Sequence, residues 1–378
     1  MNILSLISKR QRTFCKEEAP TSSTSLGGLA WRRFCRNKLS VASLVVIILF
    51  TLIAILGYLI TPDSTPYCNQ QYLELATLKP FSKIDFTYID EGKQHTHTSL
   101  VKKMLFGEPL EYTAIPTYKT TRVGDSLLIE GYTGSIPNDG PIHEVAASQV
   151  YLQHTRTFIL GTDGYGRDVL SMIIIGSRVS LSVGLIAVLI ALLIGVTLGS
   201  LAAYYGGWVD NLITWFINVV WSIPTVLLVI AITFALGKGF WQVFIAVGLT
   251  MWVDIARVVR GQVYSIKEKE YVEATRALGY SSFRTIFRHI LPNITGAVIV
   301  VTASNFASAI LLEAGLSFLG IGVQPPMPSW GTMVKENYSY ILLDSAYLPL
   351  LPGLAIMILV LAFMLLGNGV RDALDIKS

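Results

Sequence analysis

The chain has 378 residues, of which 52% are hydrophobic and only 14% charged, and its net charge is +4. Soluble domains carry about 25% charged residues, so this composition argues against a soluble enzyme and for a membrane protein. Cys15, Cys35 and Cys68 form no CxxC or Cys/His grouping, which speaks against a zinc site or a disulfide framework. No GxxxxGK[ST] stretch occurs, so no ATP-holding P-loop is expected in this chain. No catalytic or metal-ligating set and no nucleic-acid partner are expected.

Spanning helices need roughly 20 mostly apolar residues. Six stretches qualify, at about 40–61, 179–203, 209–236, 240–257, 294–316 and 345–367. The basic segment "WRRFCRNKLS" precedes the first and reads as amphipathic surface helix, with Trp31 at headgroup level. The first stretch is too long for a signal-peptide core and lacks a small-x-small site, so it reads as an anchor. Residues 1–39 hold eight Lys and Arg and 257–292 hold seven, whereas the short loops around Lys238 and Lys335 hold one each. The positive-inside rule then puts both termini and the 257–292 loop in the cytoplasm. The ten basic residues of 62–178 do not oppose this, because long segments translocate largely regardless of charge.

The long outer segment is rich in Thr, Tyr, Gly and Pro. In it, "SLLIEGY" and "DFTYI" read as short strands, so a small β-containing external domain is expected. In the second span, Gly184, Ala187, Ala191, Gly195, Gly199 and Ala203 form one stripe of small residues, the pattern of close helix packing in lipid. A sliding surface is the alternative reading of that stripe.

"LGTDGYGRDVLS" offers His154, just upstream, with Asp163 and Asp168 as a conceivable metal or phosphate site, but the spacing matches no metal signature. The plainer reading is a glycine-bent approach to the second span, with Asp168 near a helix start and Arg167 and Arg178 anchoring that end. Pro224 should kink the third span. Asp254 and Arg257, at i and i+3 near the inner end of the fourth, should pair with each other. Thr302, Asn305 and Ser308 recur every three residues in the fifth span, followed by Glu313. They are candidates for a pathway lining or for interhelical bonds, with Glu313 reaching the outer interface.

The stretch "EYVEATRALGYSSFRTIFRHILPN", residues 270–293, stands between two apolar runs. Tyr271, Ala274 and Leu278 share one face of a short helix. Phe283, Ile286, Phe287 and Ile290 share one face of a second. Gly279 should end the first helix in a left-handed turn, Ser281 or Ser282 should cap the second, and Pro292 should stop it. A helix–turn–helix this polar suits neither water nor lipid alone, so it should dock on a partner or on its own bundle.

Glu273-Ala274-Thr275, then Gly279, then Leu291-Pro292 resembles the EAA loop of bacterial ABC importer permeases, EAA-x3-G-x9-I-x-LP. Thr275 replaces the second alanine, and the isoleucine stands one place late as Ile290. "WRRFCRNKLS", "LGTDGYGRDVLS", "GLSFLGIGVQPPMPSWG" and "GNGVRDALD" look like motifs of the dipeptide/oligopeptide C-type subfamily, over residues 26–61 and 154–375. Met172 and Asn368 depart from its usual arginine and aspartate, and the insertion at about 68–153 is longer than in most relatives.

The resemblance implies an all-α membrane protein with six transmembrane helices in the type I importer permease fold, with an external insertion containing β structure between helices 1 and 2. Its parts would be a basic cytoplasmic segment 1–39, a first helix 40–61, an insertion 62–175, a permease core 176–367 with a coupling loop 258–293, and a tail 368–378. The implied ATPase-coupling residues are Tyr271, Glu273, Ala274, Thr275, Leu278, Gly279, Phe283, Phe287, Ile290, Leu291 and Pro292. The implied partners are a second, B-type permease, two ABC ATPases that carry ATP and Mg, and an extracytoplasmic substrate-binding protein. The implied location is the bacterial inner membrane. Cargo within the subfamily ranges over dipeptides, oligopeptides, nickel complexes and peptide antibiotics. A membrane-embedded enzyme with an external catalytic head and an ion-driven secondary transporter are the alternatives from other classes.

Overall fold

A computed structural model describes residues 26–374 except 91, 93–98, 135, 137–138 and 238. Cys15, Lys238, half of the N-terminal basic residues and the last four residues lie outside the described part. A basic helix α1 (Leu26–Arg36) leads into α2 (Lys38–Ile60), whose first turn is capped by Asn37 Oδ1. The insertion contains strands β1 (Ser82–Asp90), β2 (Tyr112–Val123), β3 (Ser126–Gly131), β4 (Ile142–Ala146) and β5 (Val150–Phe158), with a short helix α3 (Leu100–Phe106) between β1 and β2. All pairs are antiparallel in the order β4-β3-β2-β1-β5. Leu75, Ile84, Phe86 and Phe158 form the sheet's own small core. Both strands expected from the sequence are present, as β1 and β3.

The membrane core follows: α4 (Val169–Tyr205), α5 (Gly207–Trp221), α6 (Thr225–Leu236) and α7 (Phe240–Lys267). Next come α8 (Glu270–Ala277), α9 (Ser282–Thr285), a π-helical turn (Ile286–Ile290) and α10 (Leu291–Phe318). Helices α11 (Trp330–Asn337) and α12 (Tyr347–Leu374) close the chain. Among the described residues five helices are long and apolar enough to cross a membrane, and the α5–α6 pair makes a sixth crossing if taken as one span. That pair is bent by 91°. The expected kink at Pro224 is thus a break, with Pro224 as the last residue before α6. Several spans also outrun their apolar runs: α4 begins ten residues before 179, and α7 continues ten residues past 257.

Helices α4 and α7 are packed on the small-residue stripe. A Cβ on Gly195 would lie 2.7 Å from the Trp252 carbonyl, one on Gly199 2.5 Å from the Ala256 carbonyl, and one on Gly248 2.7 Å from Ile190. Real Cβ atoms do not approach so closely, so the two backbones touch because these positions lack side chains. Gly184 faces the ring of Phe306 in the same way. The stripe therefore serves close packing, and nothing in the structure calls for a sliding surface.

The sheet is fastened to the bundle by the loop before α4. Gly161 and Gly166 have φ of +74° and +73°, and a Cβ there would lie 2.2 Å from the Leu78 carbonyl and 1.7 Å from the Tyr72 carbonyl. Thr162 Oγ accepts from Leu78 N–H at 2.8 Å, and Tyr347 OH donates to the Leu78 carbonyl at 2.8 Å. Deeper in, Arg178 donates to the carbonyls of Ala54 (2.8 Å), Ile55 (3.1 Å), Met104 (2.9 Å) and Leu105 (2.8 Å). One guanidinium thus ties α2, α3 and α4 together, as an anchor at that end requires. At the other end of the bundle, Gly369 of α12 packs on Ser40 and Phe34, and Gly296 of α10 packs on Leu374.

A Gly199→Leu substitution should force α4 off α7, because the obstacle is backbone and cannot rotate away. Overpacking of this kind costs about 1–3 kcal/mol or more. Fluorescence-detected gel filtration of the heated, detergent-solubilised protein should show a clear fall in melting temperature, with Gly261→Leu, where a Cβ meets nothing, near wild type.

Candidate functional site: an elbow continuous with a span

Three bonding residues close the turn after α8. Leu278 N–H donates to the Ala274 carbonyl, Gly279 N–H to Arg276 and Tyr280 N–H to Thr275, at 3.0, 2.9 and 3.0 Å. With Gly279 at φ +73° this is a Schellman ending, as the glycine suggested. Ser281 is the residue that caps α9, accepting from Arg284 N–H.

Pro292 does not stop the second helix. Leu291 N–H reaches back to the Ile286 carbonyl, a wider π-type turn, and the chain runs from Ser282 to Phe318 as one 37-residue helix. A proline removes one hydrogen bond and crowds the carbonyl four residues earlier. The widened turn just before it makes room for the ring, so the helix passes through.

The elbow has two sides. Val272, Thr275, Ile286 and Ile290 are buried, and Thr275 Oγ lies 3.3 Å from Thr285 Oγ while donating to the Val272 carbonyl at 2.7 Å. Lys267 Nζ donates to the Ala203 carbonyl at 2.7 Å, and the Arg276 guanidinium lies 5.1 Å from the Tyr204 ring centroid. These contacts seat the elbow on the end of α4. On the other side Tyr271, Glu273, Ala274 and Leu278 are exposed, Leu278 at 71%. Phe283 (70% exposed) and Phe287 lie against each other as a tilted pair with ring centroids 4.3 Å apart. They edge an apolar groove of about 420 Å³ that Leu189, Val196, Ile286 and Leu291 also line. The apolar face expected at Phe283, Ile286, Phe287 and Ile290 is therefore divided. The two isoleucines and Thr275 hold the elbow in the bundle, and the two phenylalanines point outward.

The polar residues of the fifth span also divide. Asn305 is buried and donates to the Met251 carbonyl of α7 at 3.2 Å. Glu313 is fully buried and accepts from Ser317 Oγ (2.7 Å) and Ser180 Oγ (3.2 Å). It does not reach the outer interface, because packing of α10 on α4 encloses it. Thr302 donates to the Val298 carbonyl within its own helix. Ser308 lines an open cavity of about 460 Å³ beside the α5–α6 break. The expected Asp254–Arg257 pair is absent. Arg257 lies 3.5 Å from the Trp221 ring centroid and donates to Asn218 Oδ1 at 3.3 Å, because the neighbouring helix offers it a ring face and an amide.

Among the described residues, His154, Asp163 and Asp168 do not come together as a catalytic head. Asp163 accepts from the N–H groups of Tyr165 and Arg167 and pairs with the Arg167 side chain (2.6 Å), which also pairs with Glu336. Burial pulls the Arg167 guanidinium down, but the two carboxylates more than offset it and hold it above its ordinary value. Asp168 caps α4 through Ser171 N–H at 2.9 Å, although burial raises its carboxyl despite those bonds. His154 is exposed on β5, apart from this network. Buried Cys68 donates to the Asp63 carbonyl, and burial with the nearby carboxylates pushes its thiol up, so it is an unreactive thiol. No group of three or more His, Cys, Asp or Glu suited to a metal occurs among the described residues.

The chain is a multi-pass helical bundle whose fifth span extends into an elbow. Residues 195–377 match the family described as binding-protein-dependent transport system inner membrane component, and residues 25–80 match the N-terminal TM domain of oligopeptide transport permease C. The glutathione transport system permease of Pectobacterium atrosepticum is 42% identical over 218 residues, 58% of this chain and 72% of that protein. The dipeptide transport system permease of Alkalihalophilus pseudofirmus is 43% identical (57% and 71%), and the oligopeptide transport system permease of Bacillus subtilis 39% (57% and 71%). A chain of the inward-facing MetNI methionine ABC transporter aligns with TM-score 0.46 at 18% identity, over 55% of this chain and 97% of that one. The chain belongs to the family of binding-protein-dependent transport system inner membrane components.

Arg167→Ala would leave Asp163 and Glu336 without their shared cation. Breaking a buried pair on one side costs about 3–5 kcal/mol. Purified protein should therefore melt at a markedly lower temperature, and Arg167→Lys should recover only part of the loss. Equal melting of Arg167→Ala and wild type would show that the network does not hold the outer loop.

Proposed function

We propose that this chain is the transmembrane subunit of an ATP-driven importer for peptides or a related small solute, and that it forms half of the pathway. Its relatives are named as dipeptide, oligopeptide and glutathione permeases, which supports a peptide-like cargo. A second permease would supply the other half of the pathway and a binding protein would deliver cargo at the sheet side. Two ATPases holding ATP and Mg would dock at the elbow. Both termini would then lie in the cytoplasm of a bacterial cell, with the insertion 62–175 outside. The chain itself would hydrolyse nothing.

The observation that carries this reading is the two-sided elbow. One side is locked to α4 and α10, and the other exposes Tyr271, Glu273, Ala274, Leu278, Phe283 and Phe287. These exposed residues are the proposed ATPase contact, edged by Leu291 and Pro292. Thr275, Gly279 and Ile290 set the shape of the elbow from within. Nucleotide can drive a switch only through different binding free energies in the two states. A rigid elbow converts ATPase closure into movement of α10.

Leu278→Asp and Glu273→Ala should keep membrane insertion and melting temperature while weakening ATPase co-purification, the aspartate by tenfold or more. Gly279→Asp should abolish ATP-dependent uptake in proteoliposomes of the complete transporter. A Cβ at position 279 meets no atom within 4 Å, so the fold loses only the positive-φ preference, about 1–2 kcal/mol. Normal uptake in this variant would rule out the elbow as the coupling element.

A further inference from the structure

Asp254 has no hydrogen bond or salt bridge to the described residues of its own bundle, and the cation near it, Arg257, acts on it only at a distance. It lies fourteen residues into α7 (Phe240–Lys267), roughly 21 Å along the helix axis at 1.5 Å per residue, inside a candidate membrane span. A carboxylate at such depth is costly and normally faces a partner or water. It makes no hydrogen bond or salt bridge among the described residues, its nearest candidate partner Arg257 being held over Trp221 and on Asn218 Oδ1. It is nonetheless exposed, and it lines the cavity of about 460 Å³ together with Thr225, Thr250, Ser308 and Leu311.

The same cavity borders the break between α5 and α6, where the chain turns through 91°. Non-helical backbone at membrane depth is tolerated only where protein or a water-filled path covers it. The exposed carboxylate and the open cavity point to an aqueous path at this place, and the broken span is compatible with one.

We propose that Asp254 is the cation-recognising group of the cargo pathway, receiving the protonated amino group of a small peptide-like solute. One carboxylate flanked by three hydroxyls and apolar walls suits an organic ammonium. A bound calcium or magnesium ion would ask for about six or more oxygen ligands, and no metal-binding cluster occurs among the described residues. The volume is within the range of small-molecule sites. The inference rests on the reading of this chain as half of a solute pathway.

The test uses the complete transporter in proteoliposomes with L-alanyl-L-alanine, in a background with Cys15, Cys35 and Cys68 replaced. Asp254→Asn should lower uptake at least tenfold with assembly and melting temperature unchanged, and Asp254→Glu should restore most of it. Asp254→Cys should be equally poor, and should recover on modification with an anionic sulfonatoethyl reagent but not with a cationic trimethylammonium reagent. Full uptake by Asp254→Asn, or rescue by either charge, overturns the proposal. If wild type moves no dialanine, the peptide reading fails and the subsite is judged by chemistry alone. Ser308→Cys should then react several-fold faster with the cationic than with the anionic reagent, and that preference should vanish when Asp254→Asn is added. Absence of reaction, or an unchanged preference, also overturns it.

Discussion

The seam between α4 and α7 is the constraint on which the rest of the membrane core depends. Lipid tails are as apolar as leucine, so helices in a bilayer gain little from hiding apolar surface against each other. They associate where backbones can approach, and Gly195, Gly199 and Gly248 permit that approach. Once the seam is closed, other contacts fall into place along it. Arg260 reaches both carboxylate oxygens of Asp210, at 2.6 and 2.7 Å, and ties α7 to α5. Lys267 reaches the Ala203 carbonyl and brings α8 to the end of α4. Asn305 meets Met251, setting α10 against α7.

The elbow inherits its stiffness from this arrangement. Helix α8 ends in a fully bonded turn, and α9 passes through the π turn into α10 as one continuous helix that lacks only the bond Pro292 cannot donate. The helix from Ser282 to Phe318 has 37 residues, roughly 55 Å at 1.5 Å per residue. A displacement applied at Phe283 therefore reaches Asn305 and Glu313 through a single rod. Glu313 sits in hydrogen bonds from Ser180 and Ser317, so the far end of that rod is gripped by α4. An interrupted loop in place of the π turn would let the elbow move while the span stayed still.

Much of this was legible in the sequence, and the exceptions share a cause. Gly279 could be read because a helix ending needs a left-handed residue whatever lies around it. The strands β1 and β3 could be read because alternation is local. Pro292 was misread because the rule that proline stops helices assumes an α turn before it, and the π turn becomes visible only in the backbone. The Asp254–Arg257 pairing failed because helical spacing says nothing about Trp221 on another helix, whose ring face takes the guanidinium. The split of the elbow's apolar face was likewise hidden. Periodicity gives a face, but which half of it meets α4 depends on how α4 and α10 cross. The strand order of the insertion, and the close approach of Gly161 and Gly166 to the segment 72–78, had no local signal at all.

The placement of charge separates the groups that join elements of the bundle from one that does not. Arg178 is satisfied by four carbonyls, Arg167 by two carboxylates, Asp210 by Arg260 and Lys267 by a helix end. Each joins two or more elements, so each of these charges is spent on holding the subunit together. Asp254 joins nothing. Packing had an obvious solution available, a pair with Arg257 one turn away, and the structure directs that arginine elsewhere. A carboxylate without a hydrogen-bonded partner inside a candidate spanning helix is costly. Asp254 lies where the third span is broken and the cavity is open.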